Sequence, residues 1–491
     1  MRRPCVSDAL SMRIRIVATR NTTRRPLPHH VPVAQPGYRE VEFTTRERSA
    51  LHAVPTTKDI PVPLCLTPRI ERIAQAVTGR SESLFAADVA RAQTELRQQL
   101  DGKRVLLVGA AGSIGSATLI EMLAVAKPAT IAVLDPNENN LAELIRSIRN
   151  LPQPFTGELI VQPLDYGSAL TALFLDQQKP FDTIFSFSAL KHVRSERDTF
   201  STIRMLEVNL LKADIFLAAL RRRKEHAHAR IFFVSTDKAA NPVGIMGASK
   251  RAMECLLWAH TQSNETLCEE LSGDRQPLTN VTTARFANVA FSDGSLPWAF
   301  LQRLEKQQPL AAPGDIRRYL VTPSEAGQLC LLAGSATPHG HVVVPRLDPA
   351  KDMASFVDIA SATLKEFGLT PTPFTDPALA LAAVRAERAR GHYPVLITTS
   401  DTSGEKEIEE FVARGEQELP HPRGLVRVAS IAAPSSVNVI ALKHLLSLIK
   451  QAVHARSDAD VPSKALIAEA LAAVVPGFIH RETGKSLDGK M

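Results

Sequence analysis

The stretch that decides the fold is RVLLVGAAGSIGSATLIEMLAVA, residues 104–126. A short apolar run, "RVLLV", leads into three glycines at G-x-x-G-x-x-G spacing, and a helix-like segment, "SATLIEMLAVA", follows. A buried strand that turns sharply into a helix is the opening unit of many α/β sheets. The stretch therefore predicts an α/β fold whose first strand begins near residue 104.

The same alternation continues downstream. Five further segments have the pattern of strands, with helical segments between them: "TIAVLD" (130–135), "ELIVQPLD" (158–165), "FDTIFSFSA" (181–189), "ARIFFVSTD" (229–237) and "VTTARFANVA" (281–290). Such alternation predicts a doubly wound parallel sheet with right-handed crossovers, the Rossmann arrangement. After about residue 290 the pattern is less regular, which is typical of a smaller lobe.

We expect five regions along the chain. They are a leader without regular structure (1–68), a helical lead-in (69–100), a dinucleotide-binding Rossmann domain (101–290), a substrate-binding lobe (291–425) and a helical C-terminal appendage (426–491). The leader is rich in Pro and Arg and poor in acidic residues. It has the composition of a transit peptide, but we favour a disordered leader or a start codon placed too far upstream.

The composition is that of an ordinary globular protein, with 44% hydrophobic and 22% charged residues in 491. The net charge is +7, but residues 1–50 hold ten arginines against four acidic residues, so the rest is nearly neutral. We therefore expect no nucleic-acid partner. The five cysteines form no C-x-x-C pair and no metal-type spacing, which predicts no metal site and suits a reducing cytoplasm. No apolar run approaches the ~18 residues of a membrane span.

The glycine turn predicts a phosphate-binding site. Glycines after a strand let the backbone approach a pyrophosphate, which the N-terminus of the next helix attracts. The candidate cofactor-binding residues of this turn are Gly109, Gly112, Ser113, Ile114 and Gly115.

Two aspartates follow the next two strands. Asp135 lies 20 residues after Gly115. A carboxylate there can accept hydrogen bonds from the adenosine ribose and repel a 2′-phosphate, which favours NAD over NADP. Asp165 ends the third strand, where it is either an adenine contact or a capping residue.

Polar side chains also follow the fourth and fifth strands, in "SALKHV" (188–193) and "STDKAANP" (235–242). The carboxyl ends of parallel strands lie beside the bound cofactor. Thr236, Asp237 and Lys238 supply a hydroxyl, a carboxylate and an amine in succession. Downstream, Met246 and Lys250 are four residues apart, and hence on one helix face.

At this point a family resemblance is clear. The run "VGAAGSIGS … ENNLAEL … ALKHVRSE … VSTDKAANPVGIMGASKR … ARFANVAFSDGS … RRYLVTPSEAGQL … SGEKEIEEF" resembles the extended short-chain dehydrogenase/reductases of polysaccharide biosynthesis. Within them it is similar to the UDP-N-acetylglucosamine 4,6-dehydratases, over about residues 100–415. Long members of that family carry transmembrane helices before this domain, and this chain resembles a soluble form. We expect a homo-oligomer with no membrane span.

The resemblance implies a redox-neutral elimination. NAD⁺ takes a hydride from C4 of the sugar, water is lost across C5 and C6, and the hydride returns to C6. By their chemistry, Asp237 would protonate the leaving C6 hydroxyl, Lys238 would remove the C5 proton and Thr236 would hydrogen-bond the C4 oxygen. A lysine base requires a pKa well below ~10.4. Burial and the positive charges of Lys191 and Lys250 predict such a fall for Lys238.

Met246 stands where the ordinary dehydrogenase has its acid–base tyrosine, in "GIMGASKR" (244–251). A thioether cannot exchange a proton. Some members of the dehydratase family also carry Met there. Lys250 would still bind the nicotinamide ribose, and the C4 hydroxyl proton would leave through Thr236 toward Asp237 or Lys238. The alternative is a packing methionine in an inactive site.

Four residues are candidate substrate contacts: Lys191, Asn288, Ser295 and Arg318. An arginine can clamp a diphosphate bidentately, and we favour Arg318 over Arg317 for this. The family's Arg-Pro-Gly-Glu-Lys is replaced by "DTSGEK" (401–406), so that Thr402 stands where an arginine would contact the nucleotide. This departure weakens the identification of the nucleotide and the sugar.

The sequence thus predicts a cytoplasmic, NAD-dependent nucleotide-sugar 4,6-dehydratase, a lyase. It would convert UDP-N-acetylglucosamine to a UDP-4-keto-6-deoxy sugar for surface glycans. A nucleotide-sugar epimerase of the same family is one alternative, although Met246 counts against C4 epimerisation. A non-catalytic NAD- or nucleotide-sugar-binding protein is the other.

Overall fold

The stretch at 104–126 folds into a strand, a tight turn and a helix, as the sequence predicts. In the computed structural model of the chain, residues 68–192, 196–262, 276–399 and 409–480 are described, and the predicted leader up to residue 67 lies outside these ranges. The first elements are α1 (Pro68–Thr78), α2 (Ala86–Leu100), β1 (Arg104–Val108) and α3 (Ser113–Val125). The predicted lead-in is therefore helical.

Strands and helices alternate through the next part of the chain. They are β2 (Thr130–Leu134), α4 (Glu138–Arg149), β3 (Glu158–Gln162), α5 (Ala169–Gln177), β4 (Thr183–Ser186), α6 (Thr199–Leu206), α7 (Lys212–Arg221), β5 (Arg230–Val234), α8 (Ile245–Thr261) and β6 (Asn280–Ala284). A π-helical turn, Glu207–Leu211, joins α6 to α7. Side-chain caps define helix starts: α4 begins where the Asn137 side chain accepts a hydrogen bond from Asn140 N.

Shorter elements follow. They are β7 (Asn288–Val289), α9 (Leu296–Glu305), β8 (Leu310–Pro313), β9 (Arg317–Val321), α10 (Pro323–Leu331), β10 (His341–Pro345), β11 (Met353–Ser355), α11 (Phe356–Glu366), β12 (Thr370–Phe374), α12 (Pro377–Ala389), β13 (His392–Thr398), β14 (Glu418–Pro420), β15 (Val428–Ala432), α13 (Val439–Val453) and α14 (Lys464–Val474). The single strand predicted over 281–290 is wrong, because the segment forms two separate strands, β6 and β7, with residues 285–287 between them. There the buried Arg285 guanidinium pairs with Glu254 and Glu416.

The main sheet has nine strands in the order β14-β15-β10-β6-β5-β4-β1-β2-β3. All pairs from β3 to β10 are parallel, whereas β15 runs antiparallel to β10 and β14 antiparallel to β15. This arrangement confirms the predicted α/β class. Two three-stranded sheets, β11-β9-β7 and β12-β13-β8, complete the smaller part. Because β10 and β15 join the main sheet, that sheet is not confined to residues 101–290. The division into cofactor domain and substrate lobe stays a prediction.

Helices cover both faces of the main sheet. Leu106 and Ile184 belong to the apolar core of one face, and their neighbours Leu107 and Phe185 to the core of the other. This explains the continuous apolar runs of the parallel strands. Helices α13 and α14 pack into the first core with residues such as Leu445. No helix in the described ranges is long and apolar enough to cross a membrane.

Candidate functional site

A cavity of about 340 Å³ lies at the carboxyl ends of β1, β4 and β5, where a doubly wound sheet binds its ligands. The residues predicted from sequence that line it are Gly109, Gly112, Ser113, Ile114, Gly115, Lys191, Thr236, Asp237, Lys238, Met246, Lys250, Asn288 and Ser295. Three other predicted residues, Asp135, Asp165 and Arg318, are not part of its lining.

The turn between β1 and α3 is shaped for close approach of a ligand. Gly109 has a φ of +71°, which favours glycine, and a Cβ there would lie 2.8 Å from Ser188 N. A Cβ on Gly115 would lie 2.6 Å from Ala110 Cα, so α3 packs directly on the turn. No side chain caps the start of α3 at Gly112. The first residues of this helix, Ser113, Ile114 and Gly115, line the cavity, and an uncapped helix N-terminus attracts phosphate.

Asp135 follows β2 and holds the glycine turn through a hydrogen bond from the Ala111 backbone. Its carboxylate accepts hydrogen bonds from Ala111 N at 3.2 Å and Asn137 N at 2.9 Å. Burial raises the pKa of Asp135, and these two bonds oppose the rise. The role expected for this carboxylate, contact with the adenosine ribose, stays a prediction.

Asp165 is engaged by protein groups. It accepts a hydrogen bond from Gly167 N at 3.1 Å, and its other carboxylate oxygen pairs with the Lys212 ammonium. These are the bonds of a turn-capping residue, the alternative that the sequence left open. An adenine contact at Asp165 stays a prediction.

Thr236, Asp237 and Lys238 form a hydrogen-bonded group at the end of β5. The Thr236 hydroxyl donates to Asp237 Oδ1 at 2.7 Å, and Lys238 donates to the same oxygen through its backbone N at 2.8 Å and through Nζ at 3.3 Å. Asp237 is only 1% exposed. Its second oxygen, Oδ2, is buried without a hydrogen-bond partner among the described residues. One carboxylate oxygen is thus saturated, while the other can bind a ligand or hold a proton.

The environment of Lys238 differs from the one predicted. Burial lowers its pKa, but the charges of Asp237 and Glu409 outweigh burial and hold the pKa above its ordinary value. Glu409 Oε1 lies 3.1 Å from Lys238 Nζ. The predicted lowering of the Lys238 pKa is therefore wrong, because the sequence argument omitted a carboxylate that lies 171 residues away along the chain.

Met246 and Lys250 lie on the first turns of α8, and both line the cavity. Met246 is 4% exposed, and its backbone N donates to Glu196 Oε1 at 2.8 Å. The Lys250 ammonium donates to the Val234 carbonyl at 2.7 Å. Burial lowers the pKa of Lys250 to about 8. A thioether and a lysine thus stand side by side at the site, as the sequence predicts.

Lys191 reaches the cavity from the loop after β4. Asn209, in the π-helical turn, holds this loop by exchanging hydrogen bonds with the backbone of Leu190. Lys191 Nζ donates to Ser292 Oγ at 3.2 Å. Although Lys191 as a whole is exposed, partial desolvation of its ammonium group lowers its pKa, and the nearby Asp293 carboxylate opposes that effect.

The predicted substrate contacts divide into two groups. Asn288 lines the cavity, and its Nδ2 is buried without a partner among the described residues. Ser295 also lines the cavity, although its hydroxyl already caps α9 by accepting from Trp298 N. Arg318 is buried on β9, with Nε 3.2 Å from Glu409 Oε1. The alternative, Arg317, is exposed and donates to the Met353 carbonyl.

Sequence reasoning missed several residues of the site. Glu409 is the main one, and its only signal was its presence in the quoted "SGEKEIEEF". Its neighbours 401–406, including Thr402, lie outside the described residues. His192, Ser292 and Asp293 also line the cavity. His192 was visible in "SALKHV", but a single histidine on a loop carries no signal of its own.

Comparisons with known proteins agree with the fold and with the family predicted from the motifs. Residues 105–421 match the family described as "Polysaccharide biosynthesis protein". The solved structure of Pen from Bacillus thuringiensis shares the fold, with a TM-score of 0.52 at 18% identity over 72% of this chain and 98% of that one.

Two curated relatives are about equally similar. The capsular polysaccharide biosynthesis protein CapD of Staphylococcus aureus is 25% identical over 274 residues, which cover 56% of this chain and 42% of CapD. A UDP-glucose 4-epimerase of Rickettsia bellii is 25% identical over 267 residues, 54% of this chain and 70% of that protein. The chain thus spans less than half the length of CapD. Because the family match extends over more than half of its residues, this chain belongs to the polysaccharide biosynthesis protein family.

Proposed function

We propose that this chain is an NAD-dependent nucleotide-sugar 4,6-dehydratase that acts in the cytoplasm, with UDP-N-acetylglucosamine as substrate. The observation that supports this most directly is the group formed by Thr236, Asp237 and Lys238. It brings a hydroxyl, an amine and a buried carboxylate to one wall of the cavity, and one oxygen of that carboxylate has no partner among the described residues. Met246, which cannot carry a proton, stands where the usual tyrosine would serve an epimerase.

The residues present fit a dinucleotide. The three glycines of the turn line the cavity beside the start of α3, where a pyrophosphate could approach the backbone closely. Lys250, one turn of helix beyond Met246, is the residue proposed to hold the nicotinamide ribose. Asp135 is proposed for the adenosine ribose, and the glycines with Ser113 and Ile114 for the pyrophosphate. NAD, when bound, supplies a hydride acceptor that can later return the hydride.

The proposed reaction balances without another reagent. C4 loses a hydride and its hydroxyl loses a proton, which leaves a ketone. C5 then loses a proton, and its electrons form the C5–C6 double bond as the C6 hydroxyl departs with a proton as water. The hydride returns to C6 and a proton to C5. The net change is the loss of one water.

The side chains can be given separate proton roles. Thr236 donates to Asp237 in this geometry, so a C4 hydroxyl that donates to Thr236 Oγ1 has a route for its proton to Asp237. Asp237 would then hold the proton that the C6 hydroxyl requires. Lys238 would remove the C5 proton, which requires it to be neutral first. Asn288 Nδ2, which is buried and has no hydrogen-bond partner within the part of the chain that the structure describes, is proposed to bind the nucleotide sugar.

An epimerase is the second candidate. One relative is named a UDP-glucose 4-epimerase, and the raised pKa of Lys238 opposes its use as a base. A C4 epimerase must move a proton on and off the C4 oxygen. Met246 cannot do this, so Thr236 and Asp237 would have to.

The test is incubation of the purified chain with NAD and UDP-N-acetylglucosamine, followed by mass spectrometry and NMR of the sugar nucleotide. We expect the loss of one water. An unchanged mass with a changed sugar spectrum would replace the proposal by epimerisation. No change with any of several nucleotide sugars would favour a non-catalytic binding protein.

A further inference from the structure

We propose that Glu409 is a positioning residue of this site, whose carboxylate holds the Lys238 ammonium between itself and Asp237 and thereby keeps that lysine charged. The consequence for catalysis rests on the proposed dehydratase function, whereas the contact itself does not. Glu409 is not part of the cavity lining, so it acts through Lys238 rather than on a ligand.

The geometry places one ammonium between two carboxylates. Lys238 Nζ lies 3.1 Å from Glu409 Oε1 and 3.3 Å from Asp237 Oδ1. Glu409 and Asp237 are 4% and 1% exposed. Glu409 Oε1 also lies 3.2 Å from Arg318 Nε. One carboxylate oxygen therefore joins the turn after β5 to a buried arginine of β9.

Two carboxylates, Asp237 and Glu409, lie beside two cations, Lys238 and Arg318. This pairing matters because a buried charge without a counter-ion is costly. Without Glu409, the described contacts leave Lys238 with Asp237 alone. Glu409 Oε2, like Asp237 Oδ2, has no hydrogen-bond partner among the described residues. Each carboxylate thus has one oxygen that can accept a further hydrogen bond.

The protonation of Lys238 follows from its surroundings. Burial lowers its pKa, and the two carboxylates more than reverse this. Burial and the charge of Asp237 hold the pKa of Glu409 above its ordinary value, and the nearby Lys238 and Arg318 charges offset only part of this rise. Lys191 and Lys250 line the same cavity and are the other cations near this group. A dehydratase that uses Lys238 as its base must first deprotonate this lysine, which the Glu409 carboxylate opposes.

The direct test measures the titration of Lys238 without any substrate. Trace acetylation with acetic anhydride at a series of pH values, followed by digestion and mass spectrometry, gives the pH dependence of the labelling rate. The Lys238 side chain is 26% exposed and open to the reagent. The exposed Lys306 serves as internal reference. The proteins are the wild type, Glu409→Gln, Glu409→Asp and the control Glu410→Gln, which alters the exposed neighbour that accepts from Asn241.

We expect Glu409→Gln to shift the Lys238 titration down by about 1 pH unit or more, because an opposite charge within hydrogen-bond reach is lost. Glu409→Asp and Glu410→Gln should stay near the wild type. An unchanged titration in Glu409→Gln would overturn the proposal. If that variant does not fold, the wild type decides: Lys238 must be labelled only at higher pH than Lys306, and equal titration of the two lysines would overturn the proposal as well.

Activity then separates this inference from the proposed function. If the chain removes water, Glu409→Gln should move the ascending limb of the kcat profile to lower pH with little change in KM, which a purely structural role would not do. If no nucleotide sugar is dehydrated but the Lys238 titration shifts, the proposed function fails and the role of Glu409 stands. If water is lost but the Lys238 titration does not shift, the proposed function stands and the role of Glu409 fails.

Discussion

Asp237 takes part in two of the three proposed proton transfers, from the C4 hydroxyl and to the C6 hydroxyl, and contacts the residue proposed for the third. Thr236 and Lys238 both donate to its Oδ1, and its Oδ2 points into buried space without a partner among the described residues. Met246 offers no proton nearby. At the scale of single residues, the chemistry of the site therefore depends on one carboxyl group more than on any other.

Asp237→Asn should strongly slow water loss from the nucleotide sugar, because an amide cannot donate the proton that the C6 hydroxyl requires. A positioned general acid contributes about 10²–10⁴ in rate, so we expect a loss of that order. NAD affinity, measured by titration calorimetry, should change little. Asp176→Asn, at a partly exposed surface pair with Arg222, is the control. Turnover near the wild-type value in Asp237→Asn would remove this residue from the mechanism.

The second prediction concerns Lys250 and the dependence of the free energy of unfolding on pH. Its pKa is about 8 in the folded chain and 10.5 when unperturbed, because burial disfavours the charge. The unfolded state therefore binds more protons between these values, and Lys250 costs up to about 3 kcal/mol below pH 8. That cost disappears as the pH rises through 8 toward 10.5.

Lys250→Met should accordingly be more stable than the wild type at pH 7, by about 1–3 kcal/mol, since the lost bond to Val234 offsets part of the gain. Urea unfolding at pH 7 and pH 10 would measure this, and the advantage should shrink at pH 10. An advantage that is equal at both pH values would show that the buried charge is not its source.

At the scale of elements, the glycines of the turn differ in role: one is required for packing of the backbone and another lines the cavity. A Cβ on Gly115 would meet Ala110 Cα at 2.6 Å and Gly109 O at 2.8 Å, whereas a Cβ on Gly112 would meet its nearest atom at 3.5 Å. Gly115→Ala should therefore lower the free energy of unfolding by about 1–3 kcal/mol. Gly112→Ala should change it by less than about 1 kcal/mol but weaken NAD binding, because the new methyl lies at the cavity wall. Urea unfolding and NAD titration of both variants test this, and equal stability would contradict it.

The sequence predicted elements better than their long-range partners. The apolar runs of β1 to β5 are local patterns, and each forms a strand of the main sheet. The polar residues that follow them are local patterns too. The break in the strand predicted at 281–290 was not predictable. At the break, Arg285 donates to Glu416, a partner 131 residues later in the chain. The raised pKa of Lys238 likewise depends on Glu409. Local periodicity does not encode such pairings.

At the scale of the whole molecule, the C-terminal helices share a core with the site. Leu445 of α13 is fully buried in the cluster that also contains Met246. Leu445→Ala should lower the free energy of unfolding by about 2–5 kcal/mol. Ile440→Ala, on the same helix but 83% exposed, should change it by less than about 0.5 kcal/mol. If both variants unfold at the same urea concentration as the wild type, α13 does not support this core.

The contact between Lys238 and Glu409 also has a consequence during synthesis. A ribosome that adds about 5–20 residues per second needs roughly 10–30 s to pass from one to the other. Through that interval the nascent chain already carries the glycine turn, Asp237 and Lys238, but not the second carboxylate. The Ser113 hydroxyl must likewise wait for the backbone of Asp293, 180 residues later. The candidate site is thus completed only after residues well beyond the first six strands have been synthesised.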